Sequence, residues 1–101
     1  MKKRSSKRAR LENNRWSVFT DDLNTCYFCG GRAVAKHEIL YGSNRNNSME
    51  QGFVLPLCRL HHNSFHKNHV LTNEWSRKCQ TIFELDHSNE EWLKLFHKNY
   101  K

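Results

Sequence analysis

What this 101-residue chain lacks narrows its possible roles first. Apolar residues make up only 37% of it, and mean hydropathy is −0.92. No uninterrupted apolar run approaches the ~18 residues that a membrane-crossing helix needs, so no membrane span is expected. The start, Met1-Lys2-Lys3-Arg4, is basic but has no apolar stretch behind it, which argues against a secretory signal and for a cytoplasmic protein. No segment repeats. A sequence this short and polar buries a modest share of its surface, so its core needs a staple. In a reducing compartment, four Cys and seven His suit a metal better than a disulfide framework.

The charge is unevenly spread. Lysine and arginine number 17 against 10 acids, a net +7. Lys2, Lys3, Arg4, Lys7, Arg8, Arg10 and Arg15 oppose a single acid, Glu12, in residues 1–15, so that segment carries +6 and the rest only +1. Residues 1–15 therefore read as a disordered basic tail on a nearly neutral domain spanning residues 16–101. A polyanion such as DNA would attract that tail through counterion release. A solvated tail that only aids solubility, or a localisation signal, is the plainer reading.

Within the domain, Trp16, Val18 and Phe19 predict a short strand or an apolar lid. Cys26-Tyr27-Phe28-Cys29-Gly30-Gly31 predicts a tight knuckle, with glycine supplying positive φ. His37-Glu38-Ile39-Leu40 reads as a strand, Tyr41 to Gln51 as a polar loop, and Phe53 to Leu57 as a second strand ending near Pro56. A helix is expected from Arg59 to about Val70. Trp75, Cys79, Ile82 and Phe83 recur on one helical face. Ser88 with Glu91 three residues on is a capping box opening a last helix, whose apolar residues are Trp92, Leu93, Leu95 and Phe96. These aromatics are read as core.

The strongest motif is Cys26-x-x-Cys29 followed by Cys58-x-x-His61. Two ligands three apart grip one ion from a single turn, and two such pairs complete a tetrahedral zinc site. Binding there would become folding free energy. The alternatives are a redox pair at Cys26 and Cys29, or plain core residues; Cys79 has no partner at ligand spacing and reads as a buried thiol. His62 and His66, four apart, share a helix face and can chelate a second ion, while His61 points about 100° away from His62. His37, on the preceding strand, is placed to join them. Such an open site leaves positions for phosphate and water, whereas the plain reading makes His62 and His66 surface residues. His69, His87 and His97 are left as surface residues.

The order Cys26-x-x-Cys29, His37-Glu38-Ile39, then Val54-x-x-Leu57-Cys58-x-x-His61-His62 resembles the zinc-containing HNH endonucleases. It is closest to a phage-associated group through Gly42-Ser43-x-Arg45, Ser48, Gly52-Phe53-Val54-Leu55-Pro56-Leu57-Cys58 and the ending Phe96-x-x-x-Tyr100. The resemblance covers roughly residues 16–101. It implies an α+β fold: a small zinc-stabilised ββα-metal, or treble-clef, core with additional C-terminal helices. It also implies a structural zinc on Cys26, Cys29, Cys58 and His61, and a catalytic divalent ion (Mg, Mn, Ni or Zn) on His62, with His66 and His37 completing it. The family's first-strand pair supplies one ligand and one general base. Here that pair is Lys36-His37 or His37-Glu38, so the base is His37 or Glu38. The imidazole is the more basic of the two by its ordinary pKa, near ~6.5 against ~4.3. Phe53 stands where the family has an Asn.

The resulting expectation is a metal-dependent DNA endonuclease, acting in a host cytoplasm if the source is viral. Its catalytic residues would be His37, Glu38 and His62, and its products a 5′-phosphate and a 3′-hydroxyl. Arg45 and Asn47 would contact flanking phosphates, with Lys2, Lys3, Arg4, Lys7, Arg8 and Arg10 adding affinity without sequence preference. The rival from another class is a non-catalytic, zinc-stabilised DNA-binding or recombination accessory protein.

Overall fold

A computed structural model of the chain describes residues 7–101 and shows an α+β protein with five helices and one two-stranded sheet. In order these are α1 (Lys7–Asn13), β1 (Ala35–Glu38), a 3₁₀ turn (Gly42–Asn44), α2 (Arg45–Glu50), β2 (Val54–Leu57), α3 (Arg59–Lys67), α4 (His69–Phe83) and α5 (Asn89–Phe96). Among the described residues, no helix is long and apolar enough to cross a membrane.

The two strands are antiparallel, pairing Ala35 with Leu57 and Glu38 with Val54. All of β2 is buried. Pro56 has no N–H to give, but its carbonyl accepts from the Tyr27 amide at 2.9 Å, which lays the Cys26–Gly31 knuckle beside the strand. Gly30, at φ +74, lets the knuckle close with its amide on the Cys26 carbonyl. Cys58 then caps α3, its sulfur accepting from the His61 amide, so one residue ends the sheet and starts the helix.

The helix expected to run to Val70 stops at Lys67. Asn68 turns extended, at φ −121 and ψ 98, and its side chain caps α4 by accepting from the Leu71 amide. The predicted face of α4 is confirmed: Trp75, Cys79 and Phe83 are buried and Ile82 is half-buried. Ser88 and Glu91 form the capping box of α5. Trp92 and Phe96 of that helix pack with Phe53, Ile39 and Leu55 into the core, and the Trp92 indole donates to the Lys98 carbonyl.

Three further stretches depart from expectation. Residues 41–51, expected as a polar loop, hold the 3₁₀ turn and α2. The Asn44 and Asn47 amides donate to the Phe96 and Leu95 carbonyls, and the buried Ser48 hydroxyl accepts from the Leu40 amide while donating to the Phe53 carbonyl. Trp16 to Phe19 form no strand; they lie across the start of β2, with Ser17 donating to the Val54 carbonyl and the Val18 amide to that of Gly52. Residues 7–13 of the expected disordered tail are helical, and Lys7 meets Glu50, Arg8 meets Asn46 and Glu12 meets Arg45. Lys2, Lys3 and Arg4 lie outside the described residues.

Candidate metal sites and the histidine cleft

Two groups of side chains that could ligate a metal each draw residues from α3. In the first, the knuckle brings Cys26 and Cys29 to Cys58 and His61 at the start of α3, and the four ligand atoms lie within 4.8 Å of one another. Metal–sulfur bonds of ~2.3 Å arranged tetrahedrally would put sulfurs ~3.8 Å apart. The Cys29 and Cys58 sulfurs are 3.8 Å apart, and His61 Nδ1 is 3.5 Å from Cys26 Sγ and 3.2 Å from Cys58 Sγ. The donor set fits one structural metal ion.

The local electrostatics favour thiolate at two of these positions. Burial works to raise the Cys26 thiol, but backbone amides, that of Cys58 foremost, outweigh it and bring its pKa down to about 6. The His61 amide lowers Cys58 in the same way. Cys29 goes the other way: the Gly31 amide works to lower it, but the neighbouring Cys26 and burial prevail. Cys79, fully buried among apolar neighbours, is pushed up, so the fourth cysteine is an inert core residue as expected.

The second group joins β1 to α3. Strand alternation turns His37 inward against Phe65, with ring centroids 4.9 Å apart, and toward His62 and His66 on successive turns of α3. The Nε2 atoms of His62 and His66 are 3.1 Å apart, and one nitrogen from each of the three rings falls within a 4.8 Å cluster. His37 Nε2 is buried and has no hydrogen-bond partner. Burial, then the charges of His62 and His66, push the His37 pKa down to about 4; burial followed by His66 lowers His62. Neutral imidazoles with converging lone pairs can hold a divalent ion or accept a proton. The buried, unpaired nitrogen of His37 is the feature a metal would satisfy.

These rings line a cleft of about 440 Å³. Glu38 faces it too, but both its oxygens are engaged: Oε1 accepts from Arg45 Nε, and Oε2 from Arg15 at 3.3 Å. Arg45 also binds Glu12. Glu38 and Glu12 together hold the Arg45 guanidinium above its ordinary pKa. Lys36, Tyr41 and His69 complete the rim.

His37, Glu38, His62, His66 and Arg45 therefore share one cleft. Asn47 does not; its amide is spent on the Leu95 carbonyl, tying α2 to α5. Arg15 and His69 are cleft residues that sequence reasoning passed over. Arg15 is indistinguishable in sequence from the tail's other cations. His69 follows His66 by three, a spacing that already puts the two on one face of the helix expected to run to Val70, so this signal was present in the sequence.

No curated protein and no solved structure matches the chain. Residues 2–88 match the model of a family described as a protein of unknown function (DUF968), and the chain belongs to the DUF968 family.

Proposed function

We propose that this protein is a metal-dependent DNA endonuclease of the HNH type, cleaving a phosphodiester bond to leave a 5′-phosphate and a 3′-hydroxyl. The observation that carries the reading is the meeting of His37, His62 and His66 in an open cleft beside a four-ligand cluster. In this reading β1, β2 and α3 are a ββα-metal core, and Cys26, Cys29, Cys58 and His61 hold a zinc ion that fixes α3 against the sheet. His62, His66 and His37 hold the catalytic divalent ion. When bound, such an ion supplies a Lewis acid to the scissile phosphate and charge stabilisation for the leaving oxygen.

The protein's own groups do the rest. His37 suits the ligand role, because burial keeps its ring neutral and one of its ring nitrogens lies within 4.8 Å of those of His62 and His66. Glu38 is then the proton acceptor for the attacking water, its carboxylate lining the same cleft. Arg45 and Arg15 hold that carboxylate in place. Arg45 and the cations of residues 1–15 bind flanking phosphates.

The engagement of both Glu38 oxygens by arginine favours a second reading, a zinc-stabilised DNA-binding protein without catalysis. Purified protein incubated with supercoiled plasmid and Mg, Mn, Ni or Zn separates the two. The endonuclease nicks the plasmid with at least one ion, and His62→Ala, with its fold retained, loses about a hundredfold or more in rate. Equal nicking by parent and His62→Ala would defeat the proposal. Glu38→Gln and His37→Ala run alongside assign the base.

A further inference from the structure

We infer that Arg15 and Arg45 form a phosphate-binding site on the wall of the histidine cleft, and that Glu12 of α1 occupies this site until a phosphodiester displaces it. The inference rests on the nucleic-acid reading of the cleft. Each guanidinium is anchored by a different oxygen of Glu38, a residue of the sheet. Glu12 Oε2 lies between the two arginines, bonded to Arg45 and 3.7 Å from an Arg15 nitrogen. A single oxygen bridging two guanidinium groups stands where a phosphate oxygen would stand.

The two carboxylates are not equally fixed. Glu38 belongs to β1 and is paired into the sheet. Glu12 rides on a seven-residue helix that has no buried residue. That helix's ties to the body include the half-buried Ala9 and Leu11 and two polar contacts, Lys7 to Glu50 at 3.5 Å with both side chains about half exposed and Arg8 to Asn46 at 3.1 Å. Such polar contacts are individually weak. Arg15 also keeps a buried Nε without an acceptor, so the carboxylates leave its fork incompletely used. Glu12 is the one acid of α1, beside Lys7, Arg8 and Arg10. Once Glu12 yields, the helix has only cations to offer the same polyanion. The arginine pair is thus masked by a carboxylate that mimics its ligand.

Fluorescence anisotropy with a labelled DNA duplex, without divalent ions and across a salt series, tests this on the full chain. Glu12→Gln should bind about fivefold tighter than the parent, the worth of one partly exposed ion pair. Glu90→Gln, an exposed acid on α5, controls for net charge and should gain less. Glu50→Gln loosens α1 without touching the arginines and should move in the same direction as Glu12→Gln. Arg45→Gln should weaken binding, lower the log–log salt slope by about 0.9, and cancel the effect of Glu12→Gln in the double variant. Inorganic phosphate is the second probe: Glu12→Gln should gain more thermal stability from phosphate than from chloride at equal ionic strength. A response to phosphate but not to duplex would keep the anion site and remove the nucleic-acid reading. If Glu12→Gln matches Glu90→Gln with both probes, or binds more weakly than the parent, the inference is overturned.

Discussion

If the Cys26, Cys29, Cys58 and His61 cluster holds a structural ion, removing that ion should unfold most of this protein. The cluster joins the knuckle to the first turn of α3, and residues 30–57, 28 in all, lie between its two halves. A covalent link closing a loop of that size is worth roughly 3–4 kcal/mol. Zinc bound by similar four-ligand sets contributes ~10–16 kcal/mol at pH 7, against a typical domain stability of ~5–15 kcal/mol. The sheet has only two strands, and two-stranded sheets are marginal without support. Chelation should therefore abolish cooperative melting above 25 °C, and added zinc should restore it. Trp75 reports locally, since it lies edge-on to Phe28 and Tyr27 of the knuckle at 5.7 Å; its fluorescence and the far-UV circular dichroism should change together. Cys29→Ser should behave like the chelated parent, whereas Cys79→Ala keeps the ion and loses only core packing. If the chelated parent and Cys29→Ser melt at the midpoint of the zinc-loaded protein, the staple argument is wrong.

Two further outcomes follow from particular contacts. Gly52→Ala should cost roughly 2–5 kcal/mol, because φ is +75 there and an added Cβ would meet the Trp16 ring at 2.8 Å. Trp16→Ala should recover part of that loss in chemical denaturation, and full additivity of the two substitutions would refute the contact. Glu84 is held by Gln80, Asn89 and Lys101 at a pKa of about 2, below the ordinary 4.5. Its carboxylate therefore stabilises the fold fully above about pH 4.5, and that support fades as pH falls through about 2. The melting-temperature gap between the parent and Glu84→Gln should be widest above pH 5 and close toward pH 2; a constant gap would contradict the assignment.

Legibility from sequence followed the range of the forces involved. The two metal-ligand pairs, the His62 and His66 face, the capping box at Ser88 and the apolar face of α4 depend on spacings of three or four residues, so they could be read directly. Helix α2 could not. Its sequence, Arg45-Asn46-Asn47-Ser48-Met49-Glu50, has weak helical propensity, and it is set by Asn44 and Asn47 reaching carbonyls near the end of α5 and by Ser48 bridging the sheet ends. Helix α1 was hidden for the same reason, since Glu12 finds Arg45 33 residues away. Asn68 looked like one more polar residue in a long helix, and only its extended backbone shows two helices meeting. Arg15 was counted as tail charge, while its role at the cleft depends on Glu38.

The proposed chemistry needs a second ion held by imidazole alone, and a cobalt titration followed by absorption spectroscopy can count the sites. Two should appear, a tight one with intense thiolate-to-metal bands and a weaker one without them. His62→Ala should lose the weaker site, keep the tight one and stop nicking plasmid. A single thiolate-bound ion per chain, unchanged in His62→Ala, would contradict the account.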